Sequence, residues 1–403
     1  MAMREAGNYT TLSAADTTAT ADIFEGLTKN KKAYTAIYKR DARPPVVILG
    51  SGWAGFQLAR DLNKAKFDVT VISDRNHFLF TPLLPSTTVG TLEFRTIQEP
   101  VRTIPGIKFY QARATRLNFE ERQVACEEYY LKERFEVNYE YLILAVGSTT
   151  NTFNVPGVCP DNHVYFLKQL SELYDFLRKD VHILYPDLEH MVSVTLIEAS
   201  DHILGSFDRR LVDYVEPNVA WLKDGTPLHF GLCVWSTGVK ATPLVQALPP
   251  SFPKGPGGRL LVDGRLRLQG HDQKGVFAVG DCAISETRPL PCLAQVAQQQ
   301  AKYLGGVLNK YSEPHVNKEV PPFEYRHLGS MAQLGMWKGV VDSAKLDDKK
   351  GDEDGKKSVL TGWTAFLLWR AAYWTKSVSW ANKILIPMYW LKSWIFGRDI
   401  SRF

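Results

Sequence analysis

Paired cysteine is what this chain most clearly lacks. Its 403 residues hold five cysteines, Cys126, Cys159, Cys233, Cys282 and Cys292, an odd number with no C-x-x-C spacing. That excludes a disulfide framework or a zinc ribbon and suits a reducing compartment. Charge of one sign is also lacking. Lys and Arg number 48 against 43 Asp and Glu, a net charge of +5 that is too weak to argue for nucleic acid. No uninterrupted apolar run is long enough for an ordinary spanning helix, which excludes a polytopic membrane protein. Residues 1–43 have no apolar core of a secretory signal, and Glu5, Asp16, Asp22 and Glu25 make them richer in acid than a transit peptide. They read as a leader that stops before Pro44-Pro45. Hydrophobic residues at 45% exclude wholesale disorder, and the length suits two domains plus a tail.

What is present begins at Val46-Val47-Ile48-Leu49, an apolar β-branched run of the kind found in a buried parallel strand. It leads into Gly50-Ser51-Gly52-Trp53-Ala54-Gly55, then apolar residues at helical spacing through Leu62, then a second strand, Phe67–Ser73. A strand, G-x-G-x-x-G, a helix and a strand in this order form the context that a dinucleotide fingerprint requires. Gly50 permits the tight turn, Gly52 lets backbone approach a pyrophosphate, and Gly55 allows the helix to lie close to the strand. The helix N-terminus, with Ser51, Trp53 and Ala54 beside it, offers free N–H groups to the phosphates. The second strand departs from the pattern. Ser73 stands where an acid is expected for the adenosine ribose, and Asp74 follows one residue later, on the other face by alternation. Either Asp74 substitutes through a local turn or other groups hold the ribose.

Two further strands end in glycine turns: Tyr141–Val146, with Ala145 and Gly147 in its turn, and Gly275–Val279, leading into Gly280-Asp281. Spacing alone does not name the ligand. The combination resembles the FAD-binding, disulfide-reductase-like flavoproteins, in which an Asp at the position of Asp281 hydrogen-bonds the ribityl chain. Three more blocks narrow the resemblance. Phe80–Thr91, with Thr81 and Pro82, Ala294-Gln295-Val296-Ala297-Gln298-Gln299-Gln300, and Phe396–Arg402 look like segments of the type II (alternative, rotenone-insensitive) NADH:quinone oxidoreductases, in their mitochondrial plant, algal and fungal branch.

The resemblance implies an FAD-dependent NADH:ubiquinone oxidoreductase that pumps no protons. FAD carries the chemistry, NADH is the donor, ubiquinone the acceptor, and no protein acid or nucleophile is required. It also implies a peripheral position on the mitochondrial inner membrane. Residues 294–304 read as a helix with Ala294, Ala297, Ala301 and Leu304 on one face. In the family this helix lies at the isoalloxazine, and Ala294, Gln295 and Gln299 would line the quinone channel. The two glutamines, four apart, share a face and can donate to a quinone oxygen. The alternative for them is a face turned to water.

The middle of the chain departs from the family pattern. Phe166–Leu170 looks like the opening of a second, NADH-binding dinucleotide domain, Met191–Glu198 like its second strand, and Cys233–Gly238 like its closing strand. Glu198 and Gly238 are the candidate NADH residues. Between residues 168 and 191 there is no glycine, so the first strand, the Gly-rich loop and most of its helix are missing. A second shortening falls between Val215 and Leu228. Without the loop no helix N-terminus is evident for the NADH pyrophosphate, so NADH affinity is expected to be severely weakened while FAD binding survives. Two other functions stay open: an FAD-binding membrane protein that has lost NADH turnover, and a flavoprotein using another donor such as sulfide, with Cys282 and Cys292 as its thiols. Against the latter, both read more simply as small buried residues.

The tail concentrates six tryptophans between Trp363 and Trp394 and carries eight Lys and Arg but one acid from Lys356 onward. Basic residues interrupt it too often for a spanning helix, and it fits amphipathic helices lying in a membrane interface. Trp380, Trp390, Trp394 and Arg398 are the candidate membrane residues, with a homodimer through this region left open. No metal site is expected. The fold class is therefore α/β: a flavoprotein with two dinucleotide-binding, Rossmann-like domains, the second truncated, and a C-terminal amphipathic helical membrane anchor. The boundaries are 1–43 leader, 44–155 first FAD part, 156–245 truncated NADH domain, 246–345 second FAD part with the quinone helix, 346–358 charged linker, and 359–403 membrane-binding region.

Overall fold

The computed structural model describes residues 43–154, 164–166, 233–235, 238–270, 275–311, 319–335, 337–342 and 359–398. The leader, Glu198, most of the second dinucleotide domain and the charged linker lie outside them.

The apolar runs become the centre of a seven-stranded sheet. Its strands are β1 (Pro45–Leu49), β2 (Asp68–Ser73), β3 (Ile107–Asn118), β4 (Gln123–Glu128), β5 (Arg134–Asn138), β6 (Tyr141–Leu144) and β7 (Val276–Ala278), in the spatial order β7-β6-β1-β2-β3-β4-β5. β7, β6, β1, β2 and β3 run parallel, and β4 and β5 extend the sheet antiparallel. β1 and β6 have a parallel neighbour on each side, and at most 1% of Val46, Val47, Ile48, Leu49, Leu142, Ile143 or Leu144 is exposed. Such two-sided burial is why these strands read as continuous apolar runs rather than alternating ones. β3 is twice as long as its neighbours. A register shift between Ala114 and Arg116 bends it out of the parallel sheet and into the meander.

Two long helices lie side by side: α1 (Trp53–Asp61), which follows β1, and α2 (Ala294–Lys310). Gly305 allows the approach, since a Cβ there would lie 3.2 Å from that of Asp61. Their C-terminal ends are cross-tied: Asn309 Nδ2 donates to the Asp61 carbonyl at 2.9 Å, and Lys66 Nζ to the Leu308 carbonyl at 2.9 Å. Ala297, Ala301 and Leu304 are buried as the spacing predicts, whereas Ala294, on the first turn, is only half-buried.

Strand Ser148–Thr150 pairs antiparallel with Val239–Ala241, joining the two flanks of the inserted region. Within that region, Val164–Phe166 pairs in parallel with Cys233–Trp235. The segments expected to open and close the second dinucleotide domain are thus neighbours in one small sheet.

The C-terminal region is a three-stranded antiparallel sheet, Ser330–Gly335, Lys338–Asp342 and Val359–Thr361, followed by α3 (Gly362–Lys376) and α4 (Trp380–Phe396). Gly339 lets α3 press onto the sheet, because a Cβ there would stand 2.8 Å from the Phe366 nitrogen. Among the described residues no helix is long and apolar enough to cross a membrane. Buried Glu99 fastens this region to the dinucleotide unit: its Oε1 accepts from Ser379 N at 2.9 Å and from Asn382 Nδ2 at 2.8 Å. A carboxylate at the first turn of α4 also complements the helix dipole.

Candidate active site

Three glycine turns meet at the C-terminal ends of the central parallel strands. Gly50 follows β1, Gly147 follows β6 and Gly280 follows β7, and all three have positive φ, at 106°, 67° and 74°. Gly50 is forced by its surroundings as well, because a Cβ would strike the Ala145 carbonyl. Gly55 is forced in the same way by the Gly50 carbonyl. Gly52 and Gly147 differ: nothing lies within 4 Å of a Cβ built on either. Two of the glycines thus close the turn onto the protein and two border open space, which is the arrangement a pyrophosphate requires.

Gly280 lies between the two helix N-termini. A Cβ on it would be 3.4 Å from that of Ala297 and 3.5 Å from that of Ala54. Neither α1, capped by Gly52, nor α2, capped by Leu293, has a side-chain cap. Their first-turn N–H groups and positive dipole ends are left to whatever occupies the cleft. Beside them, Asp281 Oδ2 accepts from Ser148 Oγ at 3.3 Å, joining the ends of two separate strand turns.

The side chains of the first loop have structural duties. Ser51 Oγ is 2.9 Å from Ser73 Oγ and donates to the Arg75 and His77 carbonyls at 3.2 and 3.3 Å. The serine that replaces the expected acid is therefore buried in a clasp with the Gly-rich loop. Asp74 stands exposed one residue beyond, its carbonyl accepting from Gln111 Nε2 at 3.3 Å. Trp53 Nε1 donates to Thr81 Oγ1 at 3.0 Å, and its ring packs against Phe78 and Phe80. This ties the Thr81–Leu83 turn, with Pro82 in it, to the start of α1.

Gln295 and Gln299 share a face of α2, as expected, but both amides hold protein backbone. Gln299 donates to the Arg326 carbonyl at 2.8 Å and accepts from Arg326 N at 3.0 Å. Gln295 donates to the Gly329 carbonyl at 2.8 Å and accepts from Leu328 N at 3.3 Å. A donor role toward a ligand must therefore use the second N–H of each amide. Sequence reasoning passed over Gln300. It is buried, and its Oε1 accepts from Gly280 N at 2.7 Å, so it fixes the turn that carries Asp281. The signal was available: position 300 falls on the apolar stripe of Ala297, Ala301 and Leu304, where a polar side chain needs a partner.

Cys126 and Cys282 are buried and form no disulfide, and Cys292 is half-buried. Cys282 donates to the Leu144 and Val279 carbonyls at 3.2 and 3.3 Å, and burial pushes its pKa up to about 11. That disfavours the thiolate which nucleophilic or exchange chemistry requires. Gly238, with φ of +70°, supports the crossing between the halves, where its carbonyl accepts from Asn151 N at 3.1 Å. In the tail, Trp380 is 80% and Trp394 67% exposed. Trp390 is half-buried, and its ring faces the Arg370 guanidinium at 4.6 Å across the helical pair. Arg398 is half-buried.

Comparison with known proteins matches residues 44–192 and 215–301 to the pyridine nucleotide-disulphide oxidoreductase family, and residues 327–399 to the NDH2 C-terminal domain. The chain is 36% identical to the internal alternative NAD(P)H-ubiquinone oxidoreductase A1, mitochondrial, of Solanum tuberosum, over 90% of this chain and 89% of that one. It is 34% identical to the protein of the same name from Arabidopsis thaliana, over 94% and 90%. The fold resembles that of NDH2 from Plasmodium falciparum, solved in complex with NADH, with a TM-score of 0.78 at 23% identity over 89% of this chain and 99% of that one. The Solanum tuberosum alignment runs over 454 positions, while 90% of 403 residues is about 363. About 90 positions of that relative therefore face no residue here.

Proposed function

The chain belongs to the pyridine nucleotide-disulphide oxidoreductases and, within them, to the type II NADH dehydrogenases, the alternative NAD(P)H-ubiquinone oxidoreductases; from that premise we propose that its three glycine turns hold FAD and that NADH is its donor. Gly280, seated between two uncapped helix N-termini, carries the reading. The open space at Gly52 and Gly147 fits the FAD pyrophosphate, and Asp281 fits the ribityl hydroxyls. Bound FAD supplies two-electron chemistry between NADH and ubiquinone.

The protein's own part is orientation and electrostatics. The α1 N-terminus neutralises phosphate charge, and the α2 N-terminus stabilises negative charge at the far end of the cleft. Gln300 holds Gly280 and hence Asp281 in register. Gln295 and Gln299 fix the Tyr325–Gly329 segment as one wall and present their remaining N–H groups to the quinone side. Glu198 and Gly238 are the proposed NADH contacts, with Glu198 on the ribose. The exposed apolar residues of α4 support attachment to the mitochondrial inner membrane, from which a lipid-soluble quinone arrives.

Anaerobic titration of the detergent-purified protein tests this. The oxidised flavin band is expected to bleach at millimolar NADH and return when ubiquinone is added. FAD that stays oxidised with NADH while dithionite reduces it would overturn the donor assignment. It would favour the second reading, a flavoprotein without NADH turnover, which the glycine-free stretch from 168 to 191 supports.

A further inference from the structure

The turn between α3 and α4 meets the outer face of α1 around a cavity of about 210 Å³. Its apolar floor is Trp53, Phe56 and Phe78, and three cations line it: Arg60 from α1, Lys376 from the end of α3 and Lys383 from the first turn of α4. No described carboxylate lines it. None of the three cations makes an ion pair with a described carboxylate. The only acid of α1, Asp61, has both oxygens bonded by Gln57 Nε2, at 2.9 and 2.8 Å. Two of the charged heads face rings, Arg60 Cζ over Phe56 at 6.0 Å and Lys383 Nζ over Trp380 at 5.0 Å, which limits their search for other partners. Three positive charges gathered without a counter-charge around one cavity repel one another unless an anion joins them.

The surroundings say what kind of anion. Trp380 beside the cavity is 80% exposed, and along the same helix Ile384 is 61%, Leu391 54%, Trp394 67% and Phe396 80% exposed. A contiguous apolar surface of this kind marks an interaction site. A ligand that places an uncompensated phosphate in the cavity and acyl chains along α4 satisfies both features; a free phosphate lacks the chains, and phosphatidylcholine brings its own cation to its phosphate. We propose that the cavity binds the phosphate headgroup of an anionic phospholipid, so that a specific lipid pins the helical pair against the dinucleotide unit. The proposal rests on the membrane-facing reading of α4.

Flotation of the detergent-free holoprotein with vesicles tests it, using neutral phosphatidylcholine alone or with one-fifth phosphatidylglycerol. Arg60→Gln is expected to weaken binding to the anionic vesicles about fivefold, and Lys376→Gln with Lys383→Gln by more, as each basic group at an anionic surface contributes. Lys302→Gln, which removes an exposed charge from α2, should leave binding unchanged, and Arg60→Lys should retain it. None of these variants should alter binding to neutral vesicles or the flavin spectrum. If Arg60→Gln fails to fold, the double variant on the exposed turn carries the same comparison. Equal losses from Lys302→Gln and Arg60→Gln would mean diffuse surface charge and overturn the cavity assignment alone. So would inorganic phosphate that binds at millimolar concentration in an Arg60-dependent way while Arg60→Gln keeps its full affinity for anionic vesicles, which would assign the cavity to free phosphate. Wild-type protein that floats with neither vesicle would overturn the membrane reading and the cavity together.

Discussion

Two stretches of the chain read as dinucleotide-binding from their sequence, 45–73 and 164–198, and they differ in how many glycines they keep. Residues 45–73 have the strand, the three glycines, the helix and the second strand; Gly50 and Gly55 are enforced by the Ala145 and Gly50 carbonyls, while Gly52 borders open space. Residues 164–198 open on the described strand Val164–Phe166 and have no glycine from 168 to 191. About 90 positions of the Solanum tuberosum relative have no counterpart in this chain. A pyrophosphate site is made of backbone N–H groups brought close by glycine, so side chains elsewhere cannot easily replace a lost loop. On the proposed reading, the chain has a complete loop for its resident cofactor and lacks the corresponding loop for its donor.

The strongest way to break this comparison is to damage the complete region. Gly55→Ala places a Cβ on the Gly50 carbonyl and 3.3 Å from Ile48 Cγ2, so α1 must move off β1. We expect a loss of about 3 kcal/mol in stability and no bound flavin, measured by thermal melting and the visible spectrum. Gly52→Ala sharpens the point. Its φ of −77° suits alanine and nothing lies within 4 Å of the new methyl. The protein should melt normally in its flavin-free form yet fail to retain FAD. Normal flavin content in Gly52→Ala would remove the pyrophosphate from this loop.

The incomplete region gives the next effect. Assayed beside the Solanum tuberosum relative, this protein should need at least about tenfold more NADH for half-maximal flavin reduction, the worth of one helix N-terminus with its hydrogen bonds. Equal half-saturation would show that NADH is held by groups outside the missing loop.

A smaller effect is expected at Gln300. Gln300→Leu strands the Gly280 N–H in the interior, at a cost of about 1–3 kcal/mol, and should loosen flavin retention through Asp281. An unchanged melt with weakened flavin binding would still agree with a positioning role, while no change in either would remove it. The smallest effect concerns Cys282. With its pKa near 11, only about one thiolate in a thousand forms at pH 8. Iodoacetamide followed by peptide mapping should find Cys282 unlabelled in the native protein and labelled after unfolding. The unfolded thiol ionises first, near 9.0, so this group contributes stability below that pH and loses it as the pH rises toward 11.

Much of the first region was legible because its signal is local. An apolar run followed by glycines at fixed spacing reports both a strand and its turn, and β1, α1 and β2 begin and end within a few residues of the expected positions. Gln295 and Gln299 were found as a shared helix face. Their engagement with Arg326, Leu328 and Gly329 was not, because hydrogen bonds between segments some thirty residues apart leave no periodic trace. Gln300 left a trace, a polar residue on an apolar stripe, whose meaning needed the partner. The tail tryptophans show the same limit: composition gathers them in one region, and only packing separates Trp390, turned onto Arg370, from the exposed Trp380 and Trp394.

The sequence by itself determined the family and showed the glycine-free stretch from 168 to 191, since each rests on residue type at fixed spacing along the chain. Tertiary structure alone decided that Gly280 sits between two helix N-termini, that Ser73 closes onto Ser51, that Glu99 anchors α4, and that Arg60 joins Lys376 and Lys383 around one cavity. These juxtapose residues from distant segments, and their energies come from distance and desolvation, which are set only once the chain has folded.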